Sequence, residues 1–512
     1  MEEKGFMKKY RRLFAASLLF IMGISLLGCR KEEGLKEEER PYTFTVLTDL
    51  HFPHGDYNSY DESPFHSGLG EATGVNINWI YPKNHALNDY ELNVLIANNN
   101  LPDIIFTNLN NPEYFIEEGY IIPLNDYIEE YAPNLYKILK SDSTLDRASK
   151  TDKGYYYLFP FIREMKSSTF QGLVVREDWL LEQNLEPPTT IAEFDHVLRV
   201  FHEKYNAVFS FTPAWTKQAL IGSFGTINGY YIDRQGHIQH GLATPAYKEF
   251  LKQMNIWYKD GILDPNFAVM DAGSLGTLAL QNKIGATVTT SNILTSWIES
   301  AKEIGNEYNW LPLKTLVLNE GDPIEFSQME GQMNGYGAYI TSSCKDIEAA
   351  IRFLDWSYSE EGILFWNFGV EGVSYEMVDG EPVFITPDTD ETLSSFINRY
   401  TGIRWGGPSL SLLSMFEQIN NPIAVNASQI WSEDSRMLSH LVPNMSSTWE
   451  ETNELYNLED PILSYMDDMY YRFIMGETSL DQFDDYLKTL DFMNLKRVLQ
   501  IKQEQLRRYN NR

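Results

Sequence analysis

Phe44-Thr-Val-Leu47, Val75-Asn-Ile-Asn-Trp-Ile80 and Asp103-Ile-Ile-Phe106 are the runs that set the fold class. Each is a short apolar stretch bounded by polar or turn-forming residues, as is typical of a strand. The segment from Leu87 to Asn98 lies between the second and third runs and has the apolar spacing of a helix. Strands that alternate with helices predict an α/β fold.

The size and charge of the chain limit its organisation and its partners. A chain of 512 residues exceeds the length at which a single core stops growing, so at least two domains are expected. Lys and Arg number 41 against 72 Asp and Glu, which gives a formal net charge of -31. This acidic excess repels phosphate backbones, so nucleic acid is not an expected partner. The two cysteines, Cys29 and Cys344, allow at most one disulfide.

The N-terminus has the pattern of a secretory signal peptide. Basic residues precede an apolar run from Leu13 to Leu27, which is shorter than the ~20 residues that cross a bilayer. The run leads into Leu26-Leu27-Gly28-Cys29, which resembles the lipobox of bacterial lipoproteins. We therefore expect residues 1–28 to be a lipoprotein signal peptide and Cys29 to carry acyl chains such as palmitate. Residues 29–41 are highly charged and contain no aromatic residue, so they predict a flexible tether.

The common catalytic motifs are absent from the sequence. It contains no Cys-x-x-Cys, His-Glu-x-x-His, Gly-x-Ser-x-Gly or Walker A motif, which removes the commonest catalytic signatures. The loop from Asp49 to Asp56 holds two histidines and two aspartates, which would suit a divalent metal. No other histidine cluster completes a coordination shell, and a polar loop without metal is the favoured interpretation.

Four stretches that follow one another along much of the chain carry a family resemblance. They are Leu101-Pro-Asp-Ile-Ile105, Gly119-Tyr-Ile-Ile-Pro-Leu-Asn-Asp126, Trp257-Tyr-Lys-Asp-Gly-Ile-Leu-Asp-Pro-Asn-Phe267 and Glu348-Ala-Ala-Ile-Arg-Phe-Leu-Asp-Trp-Ser-Tyr-Ser-Glu-Glu-Gly362. With these stretches the sequence resembles the extracellular solute-binding lipoproteins of bacterial ABC sugar importers (family 1 solute-binding proteins), in particular the large oligosaccharide-binding group of Gram-positive bacteria. Many of those proteins carry a calcium loop where this chain has Glu203-Lys-Tyr-Asn-Ala-Val208, so no metal is expected there.

The resemblance implies a two-lobed, periplasmic-binding-protein-like fold of type II. Such a fold has a ligand cleft between its lobes, and here it would carry a helical C-terminal extension. By that analogy we predict an N-terminal lobe from residues 42–165 plus 284–335. The C-terminal lobe would then comprise residues 166–283 plus 336–512.

The resemblance also implies binding without chemistry, in agreement with the missing catalytic motifs, so neither an enzyme nor a cofactor is expected. The expected protein is a monomeric receptor held by its N-terminal lipid at the extracellular face of the cell membrane. It would capture an oligosaccharide or oligouronide and pass it to ABC transporter permease subunits by lobe closure. Two alternatives stay open, namely a surface-anchored carbohydrate-active enzyme and a sensing lipoprotein without transport.

Candidate ligand-binding residues follow from the chemistry of sugars. Aromatic rings cover the flat C–H faces of a sugar, while charged and amide side chains bind its hydroxyls. Tryptophans beside glycine, proline or polar breaks are the first candidates for a cleft. The predicted stacking residues and their polar partners are Trp215, Trp297, Trp366, Trp405, Glu371 and Arg163.

Overall fold

The computed structural model describes residues 42–48, 62–80, 82, 89–109, 111–165, 167–213, 217–306, 309–386, 393–403 and 406–512. The predicted signal peptide and tether with Cys29, the loop from Asp49 to Asp56, Trp215 and Trp405 lie outside these residues. The chain from Tyr42 onwards belongs to one compact unit. Within the described part of it, no helix has the length and apolar character needed to span a membrane.

The described strands are short and form two main sheets and several two-stranded ones. They are β1 (Thr43–Thr48), β2 (Asn76–Ile80), β3 (Ile104–Asn108), β4 (Phe159–Pro160), β5 (Ile162–Arg163), β6 (Ser167–Ser168), β7 (Gln171–Arg176), β8 (Tyr230–Ile232), β9 (Ile238–His240), β10 (Ala286–Thr290), β11 (Trp310–Pro312), β12 (Glu330–Gly331), β13 (Tyr336–Ile340), β14 (Tyr375–Val378), β15 (Glu381–Phe384) and β16 (Leu410–Ser411).

The described helices range from single turns to seven turns. They are α1 (Pro64–Thr73), α2 (Asp89–Ala97), α3 (Pro112–Glu117), α4 (Ile128–Tyr131), α5 (Pro133–Ser141), α6 (Ser143–Ala148), α7 (Glu177–Gln183), α8 (Ile191–Tyr205), α9 (Lys217–Gly222), α10 (Pro245–Lys259), α11 (Ala272–Leu280), α12 (Ser291–Glu303), α13 (Ile347–Trp356), α14 (Glu360–Phe368), α15 (Leu393–Tyr400), α16 (Leu413–Ile419), α17 (Pro422–Ser432), α18 (Trp449–Met475), α19 (Phe483–Phe492) and α20 (Leu495–Asn510).

A five-stranded sheet in the order β2-β1-β3-β13-β4 organises the first lobe. β1 is parallel to β2 and β3, whereas β13 is antiparallel to β3 and β4. Because Asn108 is the register partner of Tyr336, the carboxyl end of β3 and the start of β13 share one edge of this sheet. The strand periodicity predicted this α/β architecture correctly.

A three-stranded sheet in the order β10-β7-β11 organises the second lobe. Both neighbours of β7 are antiparallel to it, and Thr290 at the end of β10 is the register partner of Gln171 at the start of β7. Single parallel bridges, Val208 to Ile284 and Phe209 to Leu263, extend the sheet beyond β10. The end of β10 and the start of β7 therefore share an edge.

The sheet pairings correct the predicted division of the lobes. Residues 284–335 were predicted in the N-terminal lobe, but β10 and β11 pair with β7 in the second sheet. Residues from 336 onwards were predicted in the C-terminal lobe, but β13 pairs with β3, and Ile351 of α13 packs with Ile104 in the core of the first lobe. A short apolar run fits either sheet equally well, so its sequence does not determine its partner.

The chain passes between the two sheets in three segments that hydrogen-bond to one another. The first crossing contains β5 and β6, the second contains β12, and the third contains β16. β5 pairs with β16 and β6 pairs with β12. The backbone N–H of Arg163 also donates to the carbonyl of Gln332 at 2.9 Å. The crossings thus form one small joint between the lobes.

Helices of the C-terminal region return to the second lobe. After the third crossing, α17 packs on β7, where the indole N–H of Trp431 donates to the Leu173 carbonyl at 2.9 Å. Gly172 permits this contact because a Cβ there would lie 2.2 Å from the Trp431 ring. α18, α19 and α20 then pack around the core formed with α10. A helical C-terminal extension is thereby confirmed, and it begins at Trp449.

Candidate functional site

The candidate site lies where the edges of the two sheets meet the crossings. β4 leads through the first crossing directly to β7, so the sheet edge with Asn108 and Tyr336 adjoins the same joint as the edge with Gln171 and Thr290. Open α/β sheets bind ligands in the crevice at the carboxyl ends of their parallel strands. We define the space between these edges as the candidate cleft.

The second lobe presents buried polar atoms at this edge. Thr169, Gln171 and Thr289 are 6%, 7% and 1% exposed. Their Oγ1, Oε1 and Oγ1 atoms have no hydrogen-bond partner within the described part of the chain. A buried polar atom that lacks a partner costs about 1–3 kcal/mol. Three such atoms within a few residues of one edge, all uncharged, suit a ligand that brings its own hydroxyl groups.

The backbone around Gln171 is held in place from a different segment. The Gln328 Oε1 accepts hydrogen bonds from the backbone N–H groups of Phe170 at 2.9 Å and Gln171 at 3.3 Å. Gln328 is itself buried and precedes the second crossing. This amide therefore ties the start of β7 to the joint between the lobes.

The first lobe contributes amide groups at its own edge. Asn108 donates from Nδ2 to the Asn334 carbonyl at 3.1 Å. Gly335 has φ +85°, and a Cβ there would lie 2.6 Å from Nδ2 of Asn444 and 2.9 Å from Oδ1 of Asn108. Asn444 precedes α18 of the second lobe, so amides from both lobes meet at this glycine.

Two half-buried aromatic rings lie on strands of the first sheet, Tyr336 beside Asn108 at the cleft edge and Trp79 in register with Val46 of β1. Trp79 is the penultimate residue of β2, and Tyr336 is the first residue of β13. Trp79 meets the ring of His66 edge-on, with the centroids 4.7 Å apart. Burial lowers the pKa of His66 to about 3, so this ring is neutral at physiological pH. Of the two rings, Tyr336 lies at the cleft edge, where an aromatic ring can cover a sugar face.

The structure corrects two of the predicted stacking residues. Trp366 is fully buried, its ring lies 4.9 Å from that of Phe65, and its N–H donates to Ser357 Oγ at 2.9 Å. Trp297 is 5% exposed and packs 5.9 Å from the ring of Trp310 in the second lobe. Neither ring has a face open to a ligand. The glycine that follows Trp366 in sequence marks the end of α14, not a cleft.

The predicted polar partners lie in other surroundings. Arg163 donates to the Gly331 carbonyl at 2.9 Å and to Glu330 Oε2 at 2.7 Å, so it joins the first and second crossings. Glu371 is exposed in the turn before β14, and among the described contacts none joins it to the cleft edges. Trp215 and Trp405 lie outside the described residues and stay predictions.

The residues that sequence reasoning missed carry no motif. Thr169, Gln171, Asn108 and Asn444 are common polar residues without characteristic spacing. The one usable signal is position, because Gln171 comes directly before the apolar run Gly172–Val175 and Asn108 directly ends β3. As for metal sites, the described residues contain no group of three His, Cys, Asp or Glu placed to hold an ion.

Two α/β lobes on a three-segment joint, with uncharged polar atoms and the ring of Tyr336 at the adjoining edges, form a two-lobed fold of the type II periplasmic-binding class. A comparison with protein families identifies bacterial extracellular solute-binding protein over residues 58–363. The chain belongs to this family, which is one of solute-binding proteins and not of enzymes.

Relatives in Gram-positive bacteria support the same assignment. Lipoprotein LipO of Bacillus subtilis is 26% identical over 349 residues, which are 62% of this chain and 65% of LipO, so the match spans less than two thirds of that relative. The polygalacturonan/rhamnogalacturonan-binding protein YtcQ of Bacillus subtilis is 23% identical over 84% of both chains. The fructooligosaccharide ABC transporter substrate-binding protein FusA of Streptococcus pneumoniae is 24% identical over 86% of both chains.

Solved structures share the fold along nearly the whole chain. Alginate-binding protein AlgQ2 superposes with a TM-score of 0.74 at 23% identity and covers 91% of this chain and 98% of its own. FusA in complex with kestose superposes with a TM-score of 0.71 at 21% identity and covers 92% of this chain and 99% of its own. These similarities establish the two-lobed fold.

Proposed function

We propose that this protein is a substrate-binding protein that captures an oligosaccharide outside the cell and delivers it to an ABC importer. The observation that carries the proposal is the set of buried, uncharged and unpartnered polar atoms of Thr169, Gln171 and Thr289 at the cleft edge of a solute-binding fold, within the described part of the chain. The names of YtcQ and FusA support a ligand made of several sugar units. YtcQ extends the possible class to oligouronides.

Binding would draw on two kinds of contact across the cleft. Amide and hydroxyl groups such as Gln171 exchange hydrogen bonds with sugar hydroxyls, and rings such as Tyr336 cover the apolar faces. Trp215 and Trp405 remain proposed stacking residues. The lobes then close around the ligand by movement at the three crossings. A dissociation constant near micromolar, roughly 8 kcal/mol, combines capture with release to a permease.

The proposal includes a lipid anchor at Cys29. Two or more acyl chains at this residue would hold the protein at the membrane, since a single chain binds only marginally. Metabolic labelling with a palmitate analogue tests this step. Label should enter the protein and be lost in Cys29→Ser, with Cys344→Ser as the matched control that keeps it. Label that persists in Cys29→Ser would place the anchor elsewhere or remove it.

A thermal-shift screen against neutral and uronic oligosaccharides tests the function. A ligand that binds only the folded state raises the melting temperature by mass action. We expect at least one oligosaccharide to raise it and monosaccharides to do so less, because the cleft edges offer polar atoms from both lobes. If no sugar shifts the melting temperature, the binding proposal fails. If sugars are shortened during incubation, the carbohydrate-active enzyme gains support instead.

A further inference from the structure

Helix α20 links the two lobes at a place separate from the crossings. Leu495, Val498 and Ile501 in its first half pack in the core of the second lobe. Its 16 residues extend ~24 Å, and its far end reaches Asp152, which lies between α6 and β4 of the first lobe. The helix therefore spans from one lobe to the other.

Both oxygens of the Asp152 carboxylate accept hydrogen bonds from this region. Arg508 donates from Nε to Oδ2 at 2.7 Å, and Arg512 donates from Nε to Oδ1 at 2.9 Å. The side chain of Arg512 is 1% exposed and that of Asp152 is 12% exposed. Buried charges persist where partners and hydrogen bonds compensate them, as they do here.

Further groups complete the hydrogen bonds of the two arginines. Arg508 forms a bidentate pair with Glu451 at the start of α18, with N–O distances of 2.8 and 2.6 Å. Arg512 donates to Ser446 Oγ at 2.8 Å and to the Lys150 carbonyl of the first lobe. The pair of guanidinium groups is thus matched by two carboxylates. We call Asp152, Glu451, Arg508 and Arg512 the lobe clasp.

A second contact between the lobes lies beside the clasp. Trp449, the first residue of α18, stacks on Tyr114 of α3 with ring centroids 4.4 Å apart and planes 17° apart. One turn later, Thr452 Oγ1 accepts a hydrogen bond from Asn111 Nδ2 at 3.1 Å. Both partners belong to the segment that follows β3 of the first lobe.

We propose that the lobe clasp positions the two lobes relative to each other, and that the C-terminal helices are a working part of the binding device and not an inert addition. The crossings alone are short two-residue pairings, which permit rotation. The clasp adds a tie at a separate point, where each oxygen of Asp152 in the first lobe accepts a hydrogen bond from a different arginine of the second lobe. Asp152 and the two arginines are positioning residues, because they act on the ligand only through the arrangement of the lobes.

The chain offers a matched control for the clasp. Arg497 and Glu454 also join α20 to α18, with a bidentate pair in which both N–O distances are 2.7 Å. This pair has the same chemistry, but both of its helices belong to the second lobe. Its loss should change surface electrostatics without releasing the first lobe.

Distance measurements between spin labels on the full chain in lipid nanodiscs test the proposal. Labels at Lys137→Cys on α5 and Lys252→Cys on α10 report one exposed site on each lobe, while Cys344 is buried. Without ligand, Asp152→Asn should broaden the distance distribution and shift its mean. Glu454→Gln should leave the distribution unchanged. Arg512→Lys keeps the positive charge but loses the planar guanidinium with its several N–H donors. It should therefore broaden the distribution as well.

The outcomes separate a positioning role from a merely structural one. Broadening by Asp152→Asn and Arg512→Lys, with circular dichroism equal to that of the parent, supports the clasp. A distribution unchanged in both variants overturns it. If Asp152→Asn does not fold, Arg512→Lys decides by the same readout. The measurement needs no ligand, so it tests the clasp even where the proposed oligosaccharide function fails.

Discussion

At the scale of single residues, the side-chain oxygen of Gln171 combines deep burial with a free hydrogen-bonding position among the described residues. Its backbone is fixed by Gln328 and by the pairing with Thr290, so the side chain starts from a well-ordered position. A ligand hydroxyl that donates to this oxygen would remove a cost of about 1–3 kcal/mol. Affinity gained in this way needs no charge at the site.

Replacement of Gln171 by methionine tests that assignment. Gln171→Met keeps the length of the side chain and removes the acceptor, so we expect about a tenfold loss of oligosaccharide affinity, ~1.4 kcal/mol, with the melting temperature unchanged or raised. Calorimetric titration measures the affinity. Gln183→Met on α7, which loses a hydrogen bond to Tyr205, is the control and should bind as the parent does. Equal affinity in Gln171→Met would remove this residue from the site.

For Trp366 we expect a loss of stability and not a loss of affinity. Since its ring is buried among Phe65 and Phe106, Trp366→Ala should lower the free energy of unfolding by about 3–5 kcal/mol. Urea denaturation followed by circular dichroism measures the loss. A variant that keeps its stability but binds oligosaccharide more weakly would restore Trp366 to the cleft.

These residues show what the sequence could predict of the site. Trp366 was a cleft candidate because a glycine follows it closely in sequence. That glycine ends α14, and the Trp366 indole donates to Ser357 inside the lobe. Gln171 carried no such signal, because its role depends on which strand edges the crossings bring together. The class of site was predictable, whereas its members depend on tertiary pairing.

At the scale of elements, the turn before β13 is a place where two constraints coincide. Gly335 has a positive φ, and the space beside it is filled by Asn444 of the other lobe. Gly335→Ala should therefore lower the melting temperature more than Gly305→Ala. Gly305 has φ +75° and no atom within 4 Å of the position that a Cβ would take, so it isolates the backbone cost of about 1–2 kcal/mol. Equal shifts in thermal denaturation would show that the Asn444 contact adds nothing.

The packing of α1 on β2 predicts a pH dependence. Burial lowers the pKa of His66 from 6.5 to about 3, so the folded protein keeps this imidazole neutral while the unfolded chain protonates it. The contribution of the neutral His66 to the free energy of unfolding is fully present above pH 6.5 and should be lost as the pH drops from 6.5 towards 3. His66→Gln should reduce the pH dependence of the unfolding free energy in this window, relative to the parent protein. An unchanged slope in His66→Gln would contradict the neutral buried ring.

Elements were predicted more accurately than their pairing. The apolar runs placed β1, β2 and β3 within one or two residues. The assignment of β10 and β13 to lobes was wrong, because strand partners are chosen by contacts distant in sequence. Local sequence patterns therefore predict the elements, whereas strand pairing between distant segments determines the lobe to which each element belongs.

At the scale of the whole molecule, two lobes meet at the joint of crossings and at the lobe clasp. The joint holds β5, β6, β12 and β16 together, while α20 carries Arg508 and Arg512 to the first lobe. The edges that bear Gln171 and Asn108 adjoin the joint. A ligand that bridges the edges would hold the lobes together and be released when they part.

One measurement tests the central claim most directly, namely calorimetric titration of the full chain with the oligosaccharide that gives the largest thermal shift, followed by mass analysis of the recovered sugar. We expect saturable binding to one site per chain, with a dissociation constant near micromolar, roughly 8 kcal/mol, and a sugar recovered intact. No saturable heat with any neutral or uronic oligosaccharide, or recovery of shortened sugars, would contradict capture without chemistry.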